Sequence, residues 1–459
     1  MMQLSSPETW AQDEFGFAEL GDTRRNKRLV FMAANLASNP SGTLPEAFGN
    51  WAELKAAYRF FNQRGVTFDN IVAAHIERTR QSCREPGEYL LIEDSTLLDY
   101  SKRTAEDLGF IGDGTGRGFE LHTALAVRVE AWNLEQRPES VVMGLFGQQC
   151  ARPRRRPKGE SYAARLRRPR RSQRWALALK QAGRPPEDCQ WIYIADRESD
   201  FYEPMDICRK HGVDFIIRGF QDRRLADGKT HLDAALQARP VMGRTTVEVP
   251  RRDDQPKRMA IVEIRSVRVD FDGPWRPGGW QKPLYGVGVV EVREVDPPQE
   301  VSEPLHWILL SSMPCETWVE VQRIIGRYMA RWGIEEYHKA LKTGTRVEDS
   351  QMERADRLEP LIGVLAIVAV RLLSTKFLAR TRPESCEAAE SFGPQALKVL
   401  EKKCGIPKGG WTNRNLLVAI AKLGGFIGRK SDGMPGWQTI WRGWQRLIWI
   451  TEGANLMIE

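Results

Sequence analysis

The segment YMARWGIEEYHKALK, Tyr328 to Lys342, spaces Tyr328, Arg331, Glu335, Lys339 and Lys342 at intervals of three, four, four and three. At about 3.6 residues per turn, these five side chains project from one side of a helix. Ala330, Ile334, Tyr337 and Leu341 fall on the other side, where they can face a core. The polar stripe presents one carboxylate among two lysines, an arginine and a phenol, a set suited to a metal ion that meets phosphate. Two carboxylates far upstream extend it. Asp94 ends the apolar run YLLIED, and Asp196 ends WIYIAD. A carboxylate beside buried apolar residues is costly. Two of them on neighbouring strands repel each other unless a divalent cation lies between them. Glu335 then arrives from a helix as a third ligand. Two hard ions about 3.5–4 Å apart, bridged by carboxylates, drive in-line phosphodiester chemistry. One activates the attacking oxygen of water or a 3′-hydroxyl, and the other stabilises the leaving 3′-oxygen. Each residue also has a plainer reading, since a strand-end aspartate caps turns and a charged stripe is commonly a solvated face. The combination is what favours chemistry.

Such a set needs a sheet to hold it. From about residue 88 the hydrophobic period shortens. GEYLLIEDS, GFELHTALAVRVE and ESVVMGLFGQQC read as strands, with turn residues at 112–118 and 135–138 between them. RWALALKQAG reads as a helix closed by Gly183. The strand CQWIYIADRES, the helix DFYEPMDICRKHG and the strand VDFIIRG follow. The order β, β, β, α, β, α, β predicts an α/β fold, a mixed sheet with helices packed on it. Residues 222 to about 312 alternate in TTVEVP, MAIVEIRSVRVDF, LYGVGVVEVREV and HWILLSS, and read as an all-β insertion.

The flanks are helical. Asp22 is placed to cap a segment with Leu29, Met32, Ala33 and Leu36 at helical spacing. Arg24, Arg25, Lys27 and Arg28 occupy its first turns, where cations oppose the helix dipole; a phosphate partner would offset that loss. The apolar run Leu361 to Leu373 contains Arg371, is too short to span a bilayer and reads as a buried helix. Beyond it the chain becomes tryptophan-rich (Trp411, Trp437, Trp441, Trp444, Trp449), which suits a subunit interface as well as it suits core packing. The expected domains are 1–70, helical; 71–380, built on the sheet, with the insertion at about 222–312; and 381–459, helical.

Composition narrows the setting. At 459 residues, 41% hydrophobic and 28% charged, the chain suits a soluble protein of two to four domains. Its first residues lack the basic start and apolar core of a signal peptide. The seven cysteines form no CxxC and the six histidines no HxH or HxxxH, so a reducing compartment fits and a structural zinc site does not. A metal here must be held by oxygen, which points to magnesium or manganese. Of the net charge of +8, the segment from Arg152 to Arg174 supplies +10 and leaves −2 for the rest. So dense a cluster attracts a polyanion by counterion release, and nucleic acid is the expected partner.

YMARWGIEEYHKALKTG carries the pattern Tyr-x2-Arg-x3-Glu-x6-Lys, and through it the chain resembles the cut-and-paste DDE transposases of the insertion-sequence-four family. LGDTRRNKRL and AAYRFF resemble the family's end-recognition region. LLIEDSTLLDY resembles its first catalytic region, and ADRESD its second, with Ser199 in place of the usual alanine. AIAKLGGF and the tryptophan-rich helices resemble its C-terminal domain, so the likeness covers nearly the whole chain. It implies a ribonuclease-H-like mixed sheet with flanking helices, an all-β insertion, and helical N- and C-terminal domains. It implies that Asp94, Asp196 and Glu335 are both the catalytic residues and the ligands of two Mg2+ (or Mn2+) ions. Tyr328, Arg331 and Lys342 match residues that hold transposon-end DNA, and Lys339 shares their stripe. Trp307 falls where the family stacks a tryptophan on a flipped base, which relieves the bend of a DNA hairpin; on its own residues it reads as sheet core. Arg218 matches a DNA-contacting arginine, and Arg28 an end-binding one. Gly333 replaces an arginine and, inside a helix, costs about 1 kcal/mol relative to alanine.

The implied activity is metal-dependent nicking of transposon ends, hairpin formation and resolution, and strand transfer into target DNA. The implied partners are double-stranded DNA and a second copy of the chain in a synaptic complex, with no membrane. The implied place is the bacterial cytoplasm, on chromosomal DNA. The alternative is a catalytically silent, transposase-derived repressor or inhibitor. A glycosidase with an acid–base carboxylate pair also accounts for the two aspartates, but gives the Arg/Lys stripe and the Arg152–Arg174 segment no role.

Overall fold

The computed structural model describes residues 6–155, 159–161, 171–249, 258–276, 279–386, 394–429 and 432–456. Helices α1 (Pro7–Phe15), α2 (Thr23–Ser38), α3 (Leu44–Ala47), α4 (Trp51–Phe61) and α5 (Phe68–Ser82) come first. Asp22 caps α2 by accepting from the Arg24 amide at 2.9 Å, and it also pairs with the Arg24 guanidinium. One of the cations that oppose the dipole is thereby neutralised within the chain.

The strands are β1 (Gly87–Asp99), β2 (Gly109–Ile111), β3 (Gly116–Trp132), β4 (Pro138–Ala151), β5 (Cys189–Ala195) and β6 (Asp214–Gly219). Helices α6 (Leu177–Ala182) and α7 (Tyr202–His211) separate the last three. Helix α8 (Leu232–Gln237) precedes β7 (Gly243–Val249), β8 (Arg258–Phe271), the two-stranded ribbon β9 (Trp275–Arg276) and β10 (Gly279–Trp280), β11 (Leu284–Glu294) and β12 (His306–Ser311). The main sheet runs β2-β3-β1-β5-β6-β12-β11-β8-β7, with β4 also on β3. β1, β5 and β6 are parallel neighbours, while β3 joins β1 and β12 joins β6 antiparallel.

The expected all-β insertion is corrected in one respect. It contains α8, whose Leu232 and Leu236 lie one turn apart and are both buried. Its strands join the core sheet: β12 lies directly against β6 and carries β11, β8 and β7 on as one continuous sheet. The hydrogen-bonding edge of β6 is covered in this way.

Alternation along the central strands divides two cores. Leu90, Ile92, Ile192 and Ile194 pack on one face with the N-terminal helices and with α11 (Ala355–Thr381). Tyr89, Leu91, Trp191 and Tyr193 pack on the other with α6, α7 and α8. The buried-helix reading holds for α11, although the helix runs well past Leu361–Leu373: it is long and apolar enough to cross a membrane by length and composition, and 94% of its apolar window is buried in the protein. Helices α9 (Trp318–Met329) and α10 (Trp332–Lys339) lead into it, and α12 (Pro394–Cys404), α13 (Asn413–Leu423) and α14 (Trp437–Leu456) follow it around a third, smaller core.

Candidate active site

Asp94 and Asp196 are placed by register. The parallel pairing of β1 with β5 ends at Glu93↔Ala195, so each aspartate is the next residue on its strand. Both share the period of Ile92 and Ile194 and hence the face covered by α10 and α11. The expectation that β1 stops at Asp94 is corrected. β3 goes on pairing with it as far as Asp99↔Gly118, and only β5 departs. Asp196 leaves the sheet into a short 3-10 turn, Arg197–Ser199, and accepts from the Glu198 amide at 2.9 Å.

Glu335 comes from the helical side. α9 starts on a capping box formed by Thr317 and Glu320. At Ala330–Arg331 the chain tightens into i→i+3 bonds, Arg331 N to Tyr328 O at 3.0 Å and Ile334 N to Arg331 O at 3.0 Å. α10 follows, then a π turn over Ala340–Gly344. The expectation of one continuous helix is therefore corrected; Tyr328, Arg331 and Glu335 still share a side, but that side does not face solvent throughout. Tyr328 and Arg331 turn inward and are buried. Lys339 stays exposed, and Lys342 lies 3.9 Å from Glu348.

Arg331 is the centre of the arrangement. Its guanidinium donates to Asp94 Oδ2 at 3.1 Å and to Glu335 Oε1 at 2.7 Å. Its side chain is 9% exposed and that of Glu335 is 37%, so the cation sits behind the carboxylate that reaches solvent. Burial pushes the Asp94 carboxyl up to about 6; Arg331 opposes this, while Asp196 and Glu335 reinforce it. Asp196 thus lies close enough for its charge to act on Asp94. Burial disfavours the charge of Arg331, but Tyr328 and the three carboxylates more than compensate and hold its pKa above the usual value. Among the described residues, no three His, Cys, Asp or Glu side chains converge as a ready metal cage. The donor chemistry nonetheless fits a hard divalent ion: two carboxylates share one guanidinium, and the charge of a third acts on both Asp94 and Arg331.

The other predicted residues are dispersed. Trp307 on β12 is buried, with its ring 5.2 Å from Tyr328 and 6.2 Å from Trp332, so its surface is taken up by packing rather than offered to a base. Arg218 donates to the His306 carbonyl at 3.2 Å, one strand away. Arg28 lies on α2 over the Phe31 ring. Gly333 has a local reason: a Cβ there would meet the Phe377 ring at 3.3 Å. Most of the Arg152–Arg174 segment lies outside the described residues. Its ends are held by carboxylates, Arg152 by Glu359 at 2.8 Å and Arg174 by Glu120 at 2.8 Å.

Sequence reasoning missed Glu93. Its buried carboxylate accepts from the Ala176 amide at 2.7 Å and the Tyr193 hydroxyl at 3.0 Å, with His122 Nε2 at 3.4 Å. Tyr193 in turn meets Ser199 at 3.0 Å, and His122 meets Ser95 at 2.8 Å. The network braces the strands of both aspartates from behind. The signal was present in the Glu93-Asp94 pair, since adjacent acids on a buried strand must face opposite cores.

Comparison with known proteins agrees with this layout. Residues 7–66 match the family described as Transposase DNA-binding, residues 179–371 the Transposase DDE domain, and residues 367–458 the Transposase Tn5 dimerisation domain. Among solved structures, a cryo-EM structure of a piggyBac transposase synaptic complex with hairpin DNA is similar over 82% of this chain and 75% of that one, at 9% identity and a TM-score of 0.40. That superposition is loose, and the three domain matches carry the assignment. With DNA-binding, catalytic and dimerisation regions matched in that order, the chain belongs to the DDE transposases and is related to the transposase of Tn5.

Proposed function

We propose that the protein excises and inserts a DNA segment by cleaving its ends, forming and reopening a hairpin, and joining the freed 3′-hydroxyl to target DNA. Residues 1–70 recognise the ends, 71–380 carry the chemistry, and 381–459 pair two copies in a synaptic complex on chromosomal DNA in a bacterial cytoplasm. The observation that carries the reading is the meeting of Asp94 and Glu335 on one guanidinium beside Asp196, at the point where two parallel strands part.

DDE transposases use divalent metal. Here Asp94, Asp196 and Glu335 would hold it, as two Mg2+ or Mn2+ ions. When bound, the ions supply Lewis acidity at the scissile phosphate. Arg331, once released from its carboxylates, is placed to take a phosphate oxygen. Lys339 and Lys342 add charge along the DNA backbone. Trp307 can receive a base only if Tyr328 or Trp332 leaves its ring, so hairpin formation calls for a rearrangement of that aromatic cluster when DNA binds. Arg218 and Arg28 complete the DNA contacts.

The test is magnesium-dependent cleavage of end-bearing DNA on a denaturing gel that resolves hairpins. Asp196→Ala and Glu335→Ala should each abolish nicking while end binding survives. Nicking that persists in either one refutes the triad, and binding without nicking in the wild type favours a silent DNA-binding repressor.

A further inference from the structure

Glu336 follows Glu335 and has different company. Its Oε2 accepts from Lys376 Nζ on α11 and from Trp437 Nε1 on α14. The Lys376 side chain is only 6% exposed, and its ammonium lies 4.3 Å from the centroid of the Trp437 ring. Trp437 stacks on Trp441 with centroids 5.0 Å apart and planes at 10°. Trp441 closes over Gly344, where a Cβ would come within 2.5 Å of the indole. Helix α14 therefore grips the segment from Trp332 to Gly344 at two points, one beside Glu335 and one at its far end.

The grip matters because of how Glu335 is held. Its hydrogen bond is to Arg331, a residue four positions back on the same segment. Arg331 reaches the sheet through Asp94, itself one of the three acids, and Tyr337 reaches it by accepting from Gln148 at 2.8 Å; Glu336 adds a hold from the C-terminal side. Successive residues point about 100° apart around a helix, so an anchor at Glu336 fixes the direction of Glu335 as well. A buried ion pair is seldom the most stable filling for its space, yet its directional bonds specify one rotation. The anchor also crosses between regions. Glu336 lies in the part matched to the DDE domain, and Lys376 and Trp437 lie in the part matched to the dimerisation domain.

We propose that Glu336, Lys376 and Trp437 form a positioning joint through which the C-terminal dimerisation region sets the aim of Glu335. This rests on the reading of Asp94, Asp196 and Glu335 as the metal-holding triad. The joint makes cleavage depend on how the C-terminal region is seated, beyond its part in pairing two copies.

The experiment uses the full chain and an end-bearing duplex. Trp437→Phe keeps the ring on Lys376 and removes the N–H; Lys376→Met keeps most of the length and removes the charge. End affinity, dimer formation on DNA, and single-turnover cleavage across a Mn2+ titration are measured, with Glu335→Ala as control. Both variants should bind ends and dimerise as the wild type does, cleave about tenfold more slowly, and need several-fold more Mn2+ for half-maximal rate. Unchanged rate and Mn2+ requirement in Trp437→Phe overturn the joint. So does a parallel loss of end binding, dimerisation and cleavage, which marks plain packing. If Lys376→Met fails to fold, Trp437→Phe decides alone. Cleavage by Glu335→Ala overturns the triad and the joint together, whereas an inert Glu335→Ala beside an unaffected Trp437→Phe removes only the joint.

Discussion

Glu93 and Asp94 are neighbours on β1 and face opposite sides of one sheet. Glu93 is met by a backbone amide, a phenol and an imidazole. Asp94 accepts from the Ser95 amide next to it at 2.7 Å and from one arginine, which it shares with Glu335, and it feels the charge of Asp196. One oxygen of the first carboxylate, Oε2, takes all three partners and is engaged by the fold. The second carboxylate is left in a field of like charge that one guanidinium and one neighbouring amide only partly balance. Burial and acidity do not separate a structural carboxylate from a chemical one; the partners do.

Several measurements can break or sharpen that contrast. Asp94→Asn should lower end cleavage by about a thousandfold or more and leave end binding within a few-fold, read on the same gel and by mobility shift. Glu93→Ala should act on stability instead, costing about 3 kcal/mol in denaturant unfolding by stranding the Ala176 amide and the Tyr193 hydroxyl. If Glu93→Ala is as stable as the wild type but inactive, the two residues are not divided as described. The third effect is a pH dependence. Asp94 is raised from 3.8 to about 6 in the folded protein, so the native state holds the extra proton more tightly. The penalty of ionising it is present above pH 6 and relieved as pH falls. Between pH 7 and pH 5 the wild type should gain roughly 1.4 kcal/mol relative to Asp94→Asn. Equal pH profiles for the two proteins would show that Asp94 is already fully ionised at pH 5. Gly333→Ala should be the smallest change, within about 1 kcal/mol, because the gain in helix propensity is set against crowding by Phe377. A loss well above that would mean the ring cannot yield.

The fold was legible wherever local pattern and pairing agree. Strand–helix order, the Asp22 cap and the Gly183 and Gly212 helix ends follow from short-range chemistry. The far end of β1 did not, because it is set by β3, some twenty residues later, which goes on pairing after β5 has left. The insertion's place in the sheet was hidden for the same reason, since the pairing of β12 with β6 is a long-range choice. At the site, the three acids were readable from strand ends and helix spacing. The inward turn of Arg331 was not, because Gly333 weakens the helix locally, bonding back to Ala330 at 2.9 Å, without saying which side chains the tight turn will bury. Glu336 was unreadable as a contact, because its partners lie 40 and 101 positions away.

The seam between β6 and β12 limits how far this enzyme can be pared down. Removing the intervening stretch in search of a minimal nuclease would strip β6 of its neighbour and bare a ladder of amides and carbonyls one strand from Asp196. Bare ladders recruit foreign chains. A trimmed version that keeps all three acids would therefore precipitate or self-associate unless the returning strand were kept or a substitute built in.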